Sequence, residues 1–120
     1  MYLRESAEMY LETIYLLSLK NGSVRSIDVA EDMGFSKPSV SRAVGLLKQD
    51  GYLTMAEDGQ LTLTEKGTDT AKMIFERHTV LSQFLSLIGV QEEIAAKDAC
   101  RIEHVVSNET IDAIKNFISK

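Results

Sequence analysis

The 120-residue sequence predicts a mainly α-helical chain, interrupted once by a short β-hairpin. Three observations carry that prediction. In "ESAEMYLETIYLLSLKNG" the residues Ala7, Tyr10, Ile14 and Leu17 recur at helical spacing. The period changes at "YLTMAEDGQLTLT", where two short runs flank Asp58-Gly59, a hairpin signal. Beyond it a long helical pattern resumes and runs to Ile118, broken at Gly89 and Ser107.

Each element has a local justification. Asn21-Gly22 closes the first helix, since glycine takes the left-handed turn that ends helices. "SVRSIDVAEDMGF" reads as a short helix capped by Ser26 or Asp28, carrying Ile27, Ala30 and Met33, with Gly34 as the turn. "SKPSVSRAVGLLKQDGY" follows. Ser36 is its expected N-cap, Pro38 is tolerated only in the first turn, and Val40, Ala43, Val44 and Leu47 face inward before Asp50-Gly51. After the hairpin, Thr64 or Glu65 opens "EKGTDTAKMIFERHTVLSQFLSLIG", in which Gly67 is an unfavourable helix residue. "QEEIAAKDACRIEHVV" predicts another helix and "SNETIDAIKNFI" a last one, with a capping start at Ser107. The boundary between two domains is expected inside the long helix, giving domains over 1–70 and 71–120.

Composition bounds the function. Hydrophobic residues make up 44%, which excludes a disordered chain, and a chain this short is helped by association. The single cysteine excludes an intrachain disulfide and points to a reducing compartment. The N-terminus lacks a signal-peptide core and no apolar run spans a bilayer, so a cytoplasmic protein without a membrane partner is expected. The net charge of −5 argues against indiscriminate nucleic-acid binding. That charge is unevenly distributed, however. Lys37, Arg42 and Lys48 lie between Gly34 and Gln49 without an acidic residue, while acids cluster near Glu5–Glu12, Asp28–Asp32 and after Glu92.

The order helix, short helix, glycine turn, polar-tipped helix, hairpin is that of a winged helix-turn-helix DNA-binding domain. In such a unit the second helix of the pair enters the major groove. Ser36, Lys37, Pro38, Ser39, Ser41 and Arg42 then meet phosphates and base edges, with Arg25 a further backbone contact. The hairpin would be the wing; "MAEDGQ" is acidic, so it is expected to add little to DNA affinity. The rival reading is a winged-helix fold used for protein contacts.

The second half carries ligating chemistry. "DACRIEHV" places Cys100, Glu103 and His104 at i, i+3 and i+4 of a helix, so all three share one face. Met9 and Glu12 are three apart on the first helix, and His78 lies mid-way along the long one. Singly, each is more often structural: methionine fills core gaps, and a lone histidine is usually not a ligand. Together, two carboxylates and two imidazoles are expensive to bury unless paired or metal-bound. The Cys-x-x-Cys pairs of structural zinc are lacking.

With these residues in view, the chain resembles the diphtheria toxin repressor and manganese transport regulator family of metal-activated bacterial repressors, over essentially its whole length. "EMYLETIY", "SKPSVSRAV", "LTLTEKG", "RHTVLSQFLSLIGV" and "DACRIEHVVS" carry the likeness. The resemblance implies a homodimeric transcription factor, with an all-helical metal-binding and dimerisation domain after the winged one. Its length implies the two-domain form, lacking the SH3-like domain of longer members. The iron-responsive branch pairs a first-helix methionine with Cys-x-x-Glu-His, as Met9, Cys100, Glu103 and His104 do here. The manganese branch has acidic residues at the positions of Met9 and Cys100, and uses a glutamate matching Glu12 and a histidine matching His78. Ser82 and Ala96 stand where a glutamate and a histidine of the iron branch's second site belong. One alternative is a second ion held by Glu12 and His78, with Glu103 bridging. Soft sulfur donors favour iron(II) over manganese(II), with zinc(II), cobalt(II) and nickel(II) able to substitute.

The expected function is therefore a non-enzymatic, homodimeric repressor that binds a double-stranded DNA operator of metal-homeostasis genes when metal-loaded. No small organic substrate is expected. Phe84, Leu85, Ile88, Ile111, Ile114 and Phe117 are the candidates for the dimer interface. Three rivals remain: an enzyme using Cys100 with His104, which lacks a nucleophile turn; a winged-helix regulator controlled by an organic ligand; and a metal-storage or structural-zinc protein. Metal binding separates the second, and metal-dependent DNA affinity the third.

Overall fold

A computed structural model describes residues 5–120. The chain divides into two compact units, the first ending at Lys72 and the second running from Met73 to Lys120.

In the first unit, α1 (Glu5–Asn21) leads through β1 (Val24–Arg25) into α2 (Ser26–Met33) and α3 (Lys37–Gln49). The hairpin β2 (Leu53–Met55) and β3 (Gln60–Leu63) follows, and α4 (Glu65–Leu87) begins in this unit. Leu11 and Ile14 of α1, Val29 of α2, and Val40, Val44 and Leu47 of α3 close over Val24, Tyr52, Leu53 and Leu61. Each such fully buried aliphatic side chain contributes roughly 1.5–3 kcal/mol.

Local chemistry sets the joints. Gly34 adopts φ 71° after α2, and its N–H donates to the Ala30 carbonyl at 2.9 Å. Ser36 caps α3: its Oγ accepts the Ser39 N–H at 3.3 Å and donates to Ser39 Oγ at 2.9 Å. Pro38 sits in the first turn, where its missing N–H costs nothing.

Four local expectations are corrected. Val24–Arg25 is not helix lead-in but an edge strand, so among the described residues the sheet has three strands in the order β1-β3-β2, all antiparallel. Two residues are too few to show a strand period. The N-cap of α2 is Arg25, with Asp28 reaching back to accept its backbone N–H at 2.8 Å. The wing does not turn on Asp58-Gly59 alone. Its loop runs from Ala56 to Gly59, closed by Ala56 N–H to Gln60 O at 2.9 Å, with Gly59 at φ 88° and Asp58 Oδ1 accepting from Gln60 N–H. Finally, Gly67 is required rather than tolerated, because it lets α4 begin against the Tyr52 carbonyl.

In the second unit the rest of α4 packs with α5 (Glu92–Ile102) and α6 (Asn108–Ile118) around Leu81, Ala99 and Ile111. Ser107 caps α6 by accepting the Thr110 N–H at 3.2 Å. Helix α5 stops at Ile102, short of the expected "EHVV". Glu103 closes it with an N–H to Ala99 O at 2.9 Å, and the next turn tightens to His104 N–H on Arg101 O.

Candidate metal centre and nucleic-acid interface

Among the described residues, the second unit contains one carboxylate wholly removed from solvent. The Glu103 side chain is 0% exposed, at the end of α5. His78, projecting from α4, places Nδ1 2.9 Å from Glu103 Oε2. His104, itself 3% exposed, places Nε2 3.2 Å from Glu103 Oε1. An ionised carboxylate taken out of water costs several kcal/mol unless it is paired; here His78 hydrogen-bonds one oxygen and His104 approaches the other. The same four atoms carry the lone pairs that a divalent cation requires. Carboxylate oxygen with imidazole nitrogen suits first-row divalent ions, so the donor set fits a metal.

The other expected ligands are Cys100, Met9 and Glu12. Cys100 is on α5, one turn before Glu103, and is exposed. Met9 and Glu12 are on α1 in the first unit, Met9 partly buried and Glu12 buried. The Met9 carbonyl accepts the Thr13 hydroxyl at 2.9 Å, a bond within that helix.

Sequence reasoning missed Arg77. From the turn of α4 that carries His78, its Nη1 donates to the carbonyls of Glu103 at 3.1 Å and Val106 at 3.0 Å. Its Nη2 donates to Asn108 Oδ1. No pattern announces this role; an arginine beside a histidine on a long helix reads as a solvated charge.

On the first unit, Ser36, Lys37, Pro38, Ser41 and Arg42 are exposed along the N-terminal half of α3, and Ser39 is partly buried through its bond to Ser36. Arg25, just ahead of α2, pairs with the wing and stays half-exposed. Its Nε donates to the Asp58 carbonyl at 3.1 Å and its Nη2 meets Asp58 Oδ2 at 3.3 Å, fastening the tip of the wing to the start of α2. The acidic wing therefore engages the arginine that the sequence offered to phosphate.

The family model for "Iron dependent repressor, N-terminal DNA binding domain" matches residues 2–61. The model for "Iron dependent repressor, metal binding and dimerisation domain" matches residues 64–120. The chain belongs to the iron-dependent repressor family. As a member it is a metal-dependent, DNA-binding transcriptional repressor and not an enzyme; a winged helix-turn-helix is followed by the helical metal-binding and dimerisation domain, and its cofactor is a divalent metal ion. The repressor is 41% identical over 113 residues to the HTH-type transcriptional regulator MntR of Lysinibacillus sphaericus, spanning 94% of this chain and 81% of that protein. It is 37% identical over 114 residues to the transcriptional regulator MntR of Salmonella typhimurium, spanning 95% and 73%. Among solved structures it is similar to the manganese regulator SloR, with TM-score 0.83 and 26% identity over 99% of this chain and 55% of that one. A manganese-dependent transcriptional repressor in complex with manganese gives TM-score 0.84 and 26% identity over 94% and 52%. The repressor spans about half the length of these two solved chains. Among the described residues no helix is long and apolar enough to cross a membrane.

The residues expected at the dimer face differ in exposure. Ile111 is 4% exposed and lies in the core of its own unit, with Ile114 packed against that core. Phe117 is 55% exposed and meets the Phe84 ring edge-on at a centroid distance of 5.9 Å; Ile88 is exposed as well. Ile111 thus packs with Leu81 and Ala99 in the core of its own unit.

Proposed function

We propose that this repressor is a cytoplasmic homodimer whose affinity for the operators of metal-homeostasis genes rises when iron(II) is bound by Met9, Glu12, His78, Cys100, Glu103 and His104. The observation that carries the reading is the fully buried Glu103 carboxylate held between two imidazoles. The sulfur donors Met9 and Cys100, which the family resemblance aligns with acidic residues of the manganese branch, support iron(II) over manganese(II). A second reading, manganese(II) as effector, is favoured by the relatives at 37–41% identity, which are named as MntR. The boundary of function we place near residue 70, within α4.

The chain's own residues supply the rest of the mechanism. His78 and His104 orient Glu103 so that its oxygens stay inside the ligand set. Glu12, Glu103 and a Cys100 thiolate repel one another, and a bound divalent ion cancels that repulsion. Because α1 belongs to the DNA-binding unit, ligation shared between Met9 or Glu12 and the C-terminal ligands restricts where that unit can be. Metal and operator are then reciprocally coupled, by about 1–3 kcal/mol in a typical allosteric protein. Exposed Ile88 and Phe117, together with Phe84, Leu85, Ile111 and Ile114, form the apolar contribution to the dimer. Ser36, Lys37, Pro38, Ser39, Ser41 and Arg42 contact DNA from the start of α3, Arg25 adds a backbone contact, and the dimer sets the spacing of the two reading helices.

An anisotropy titration on a duplex selected by the protein itself tests this, with anaerobic iron(II), manganese(II), zinc(II) or a chelator. Iron(II) is expected to tighten binding, and Glu103→Gln to weaken the effect. Equal affinity in chelator and in every metal ends the reading. Tightening by manganese(II) and not by anaerobic iron(II) selects the second one.

A further inference from the structure

We propose that Arg77 is a positioning residue that holds Glu103 and His104 in ligating geometry; this rests on reading those two residues as metal ligands. Both lie beyond the end of α5, which stops at Ile102. Carbonyls past a helix terminus have no intrahelical partner, and the turn they belong to is correspondingly easy to displace. Arg77 supplies the missing donors. One nitrogen, Nη1, bridges the carbonyls of Glu103 and Val106, at 3.1 and 3.0 Å, and so spans the segment containing His104 from both sides. The other, Nη2, reaches Asn108 Oδ1 at the first residue of α6.

Glu103 is thereby gripped twice from one turn of α4. His78 holds its side chain, through the 2.9 Å contact to Oε2, and Arg77 holds its backbone. A planar fork of donors is needed to serve three acceptors at once. The ammonium of lysine keeps the charge but not that geometry.

The sign of the effect separates positioning from electrostatics. A guanidinium close to a cation site disfavours the cation by Coulomb repulsion, so removing it should tighten metal binding if charge were all that mattered. Positioning predicts the opposite. Partners that orient metal ligands are typically worth about 10–100-fold in affinity, and Arg77→Met is expected to weaken metal binding by that order. Arg77→Lys should weaken it too, although the charge stays. Asn108→Ala, which removes one of the three acceptors, should have a smaller effect in the same direction.

The experiment is a chelator-competition titration with manganese(II) and cobalt(II) on the full chain, paired with thermal melts of metal-free and metal-loaded protein. The expected result is weaker affinity and a smaller metal-induced rise in Tm for Arg77→Met and Arg77→Lys. A purely structural role would instead lower both melting temperatures equally and leave the affinity of the folded protein unchanged, which overturns the inference. Unchanged or tighter binding by either variant also overturns it. If Arg77→Met does not fold, Arg77→Lys and Asn108→Ala decide the matter by the same readouts. Glu103→Gln is the control for the underlying reading. If it too leaves affinity intact, the ligand assignment has failed; if it weakens binding while the Arg77 variants do not, only the role of Arg77 has.

Discussion

Replacing Gly67 by alanine separates helix propensity from tertiary contact. By propensity alone, alanine inside α4 should stabilise the protein by about 1 kcal/mol. The surroundings reverse that sign. A Cβ at this position would lie 1.9 Å from the Tyr52 carbonyl oxygen, 3.0 Å from its carbon and 3.3 Å from Leu63 Cδ2. The obstructing atom is backbone and cannot rotate aside, so the first turn of α4 must shift. Three bonds anchor that turn: Thr64 N–H to Tyr52 O at 3.1 Å, Thr64 Oγ1 to Gly51 O at 2.7 Å, and Gly67 N–H to Thr64 Oγ1 at 3.1 Å. Each is worth about 1 kcal/mol net, and overpacking a close contact costs a further ~1–3 kcal/mol. Against the ~1 kcal/mol gained, loss of all three bonds with the overpacking gives an expected loss of about 3–5 kcal/mol, or a fall in Tm on the order of 10–20 °C. Melts of both proteins in chelator, followed by circular dichroism, measure it. A Tm for Gly67→Ala equal to or above that of the parent would refute the reasoning.

Other outcomes follow from the reading helix and the wing. Lys37→Ala with Arg42→Ala should weaken operator binding and flatten its salt dependence by about 0.9 for each phosphate no longer neutralised, leaving metal affinity unchanged; anisotropy at several salt concentrations reads both. Ser36→Ala removes the α3 cap and should cost about 1 kcal/mol in urea unfolding. Ser36→Asp should restore that stability yet still bind DNA poorly, because it places a carboxylate at the reading end of the helix. Asp58→Ala should change stability by less than about 1 kcal/mol, since the Arg25–Asp58 pair is 47% and 59% exposed. It releases Arg25 and removes a wing-tip charge, so DNA affinity should rise at low salt and the gain should fade at high salt.

Much of the candidate site was legible because helical spacing brings residues onto one face without reference to the rest of the fold. Glu103 and His104 were marked out in this way, and a histidine in mid-helix marked His78. What spacing could not supply was the contact itself: residues 78 and 103 are 25 apart in sequence, and only packing of α4 with α5 brings His78 onto the carboxylate. Cys100 shares the predicted helical face and is exposed, where Glu103 and His104 are buried. Arg77 had no signal at all, since its three acceptors are backbone carbonyls and an amide that no side-chain pattern encodes.

By itself the sequence determined the helices, their caps at Ser36 and Ser107, the hairpin and the acid-free stretch of α3, because each depends on residues within a turn or two of one another. The tertiary structure alone decided the β1 strand, the demand for glycine at 67, the pairing of Arg25 with Asp58 and the burial of Ile111. Those features depend on which distant backbone or side chain arrives beside a residue. Close approach and burial are properties of packed surfaces, and no local period records them.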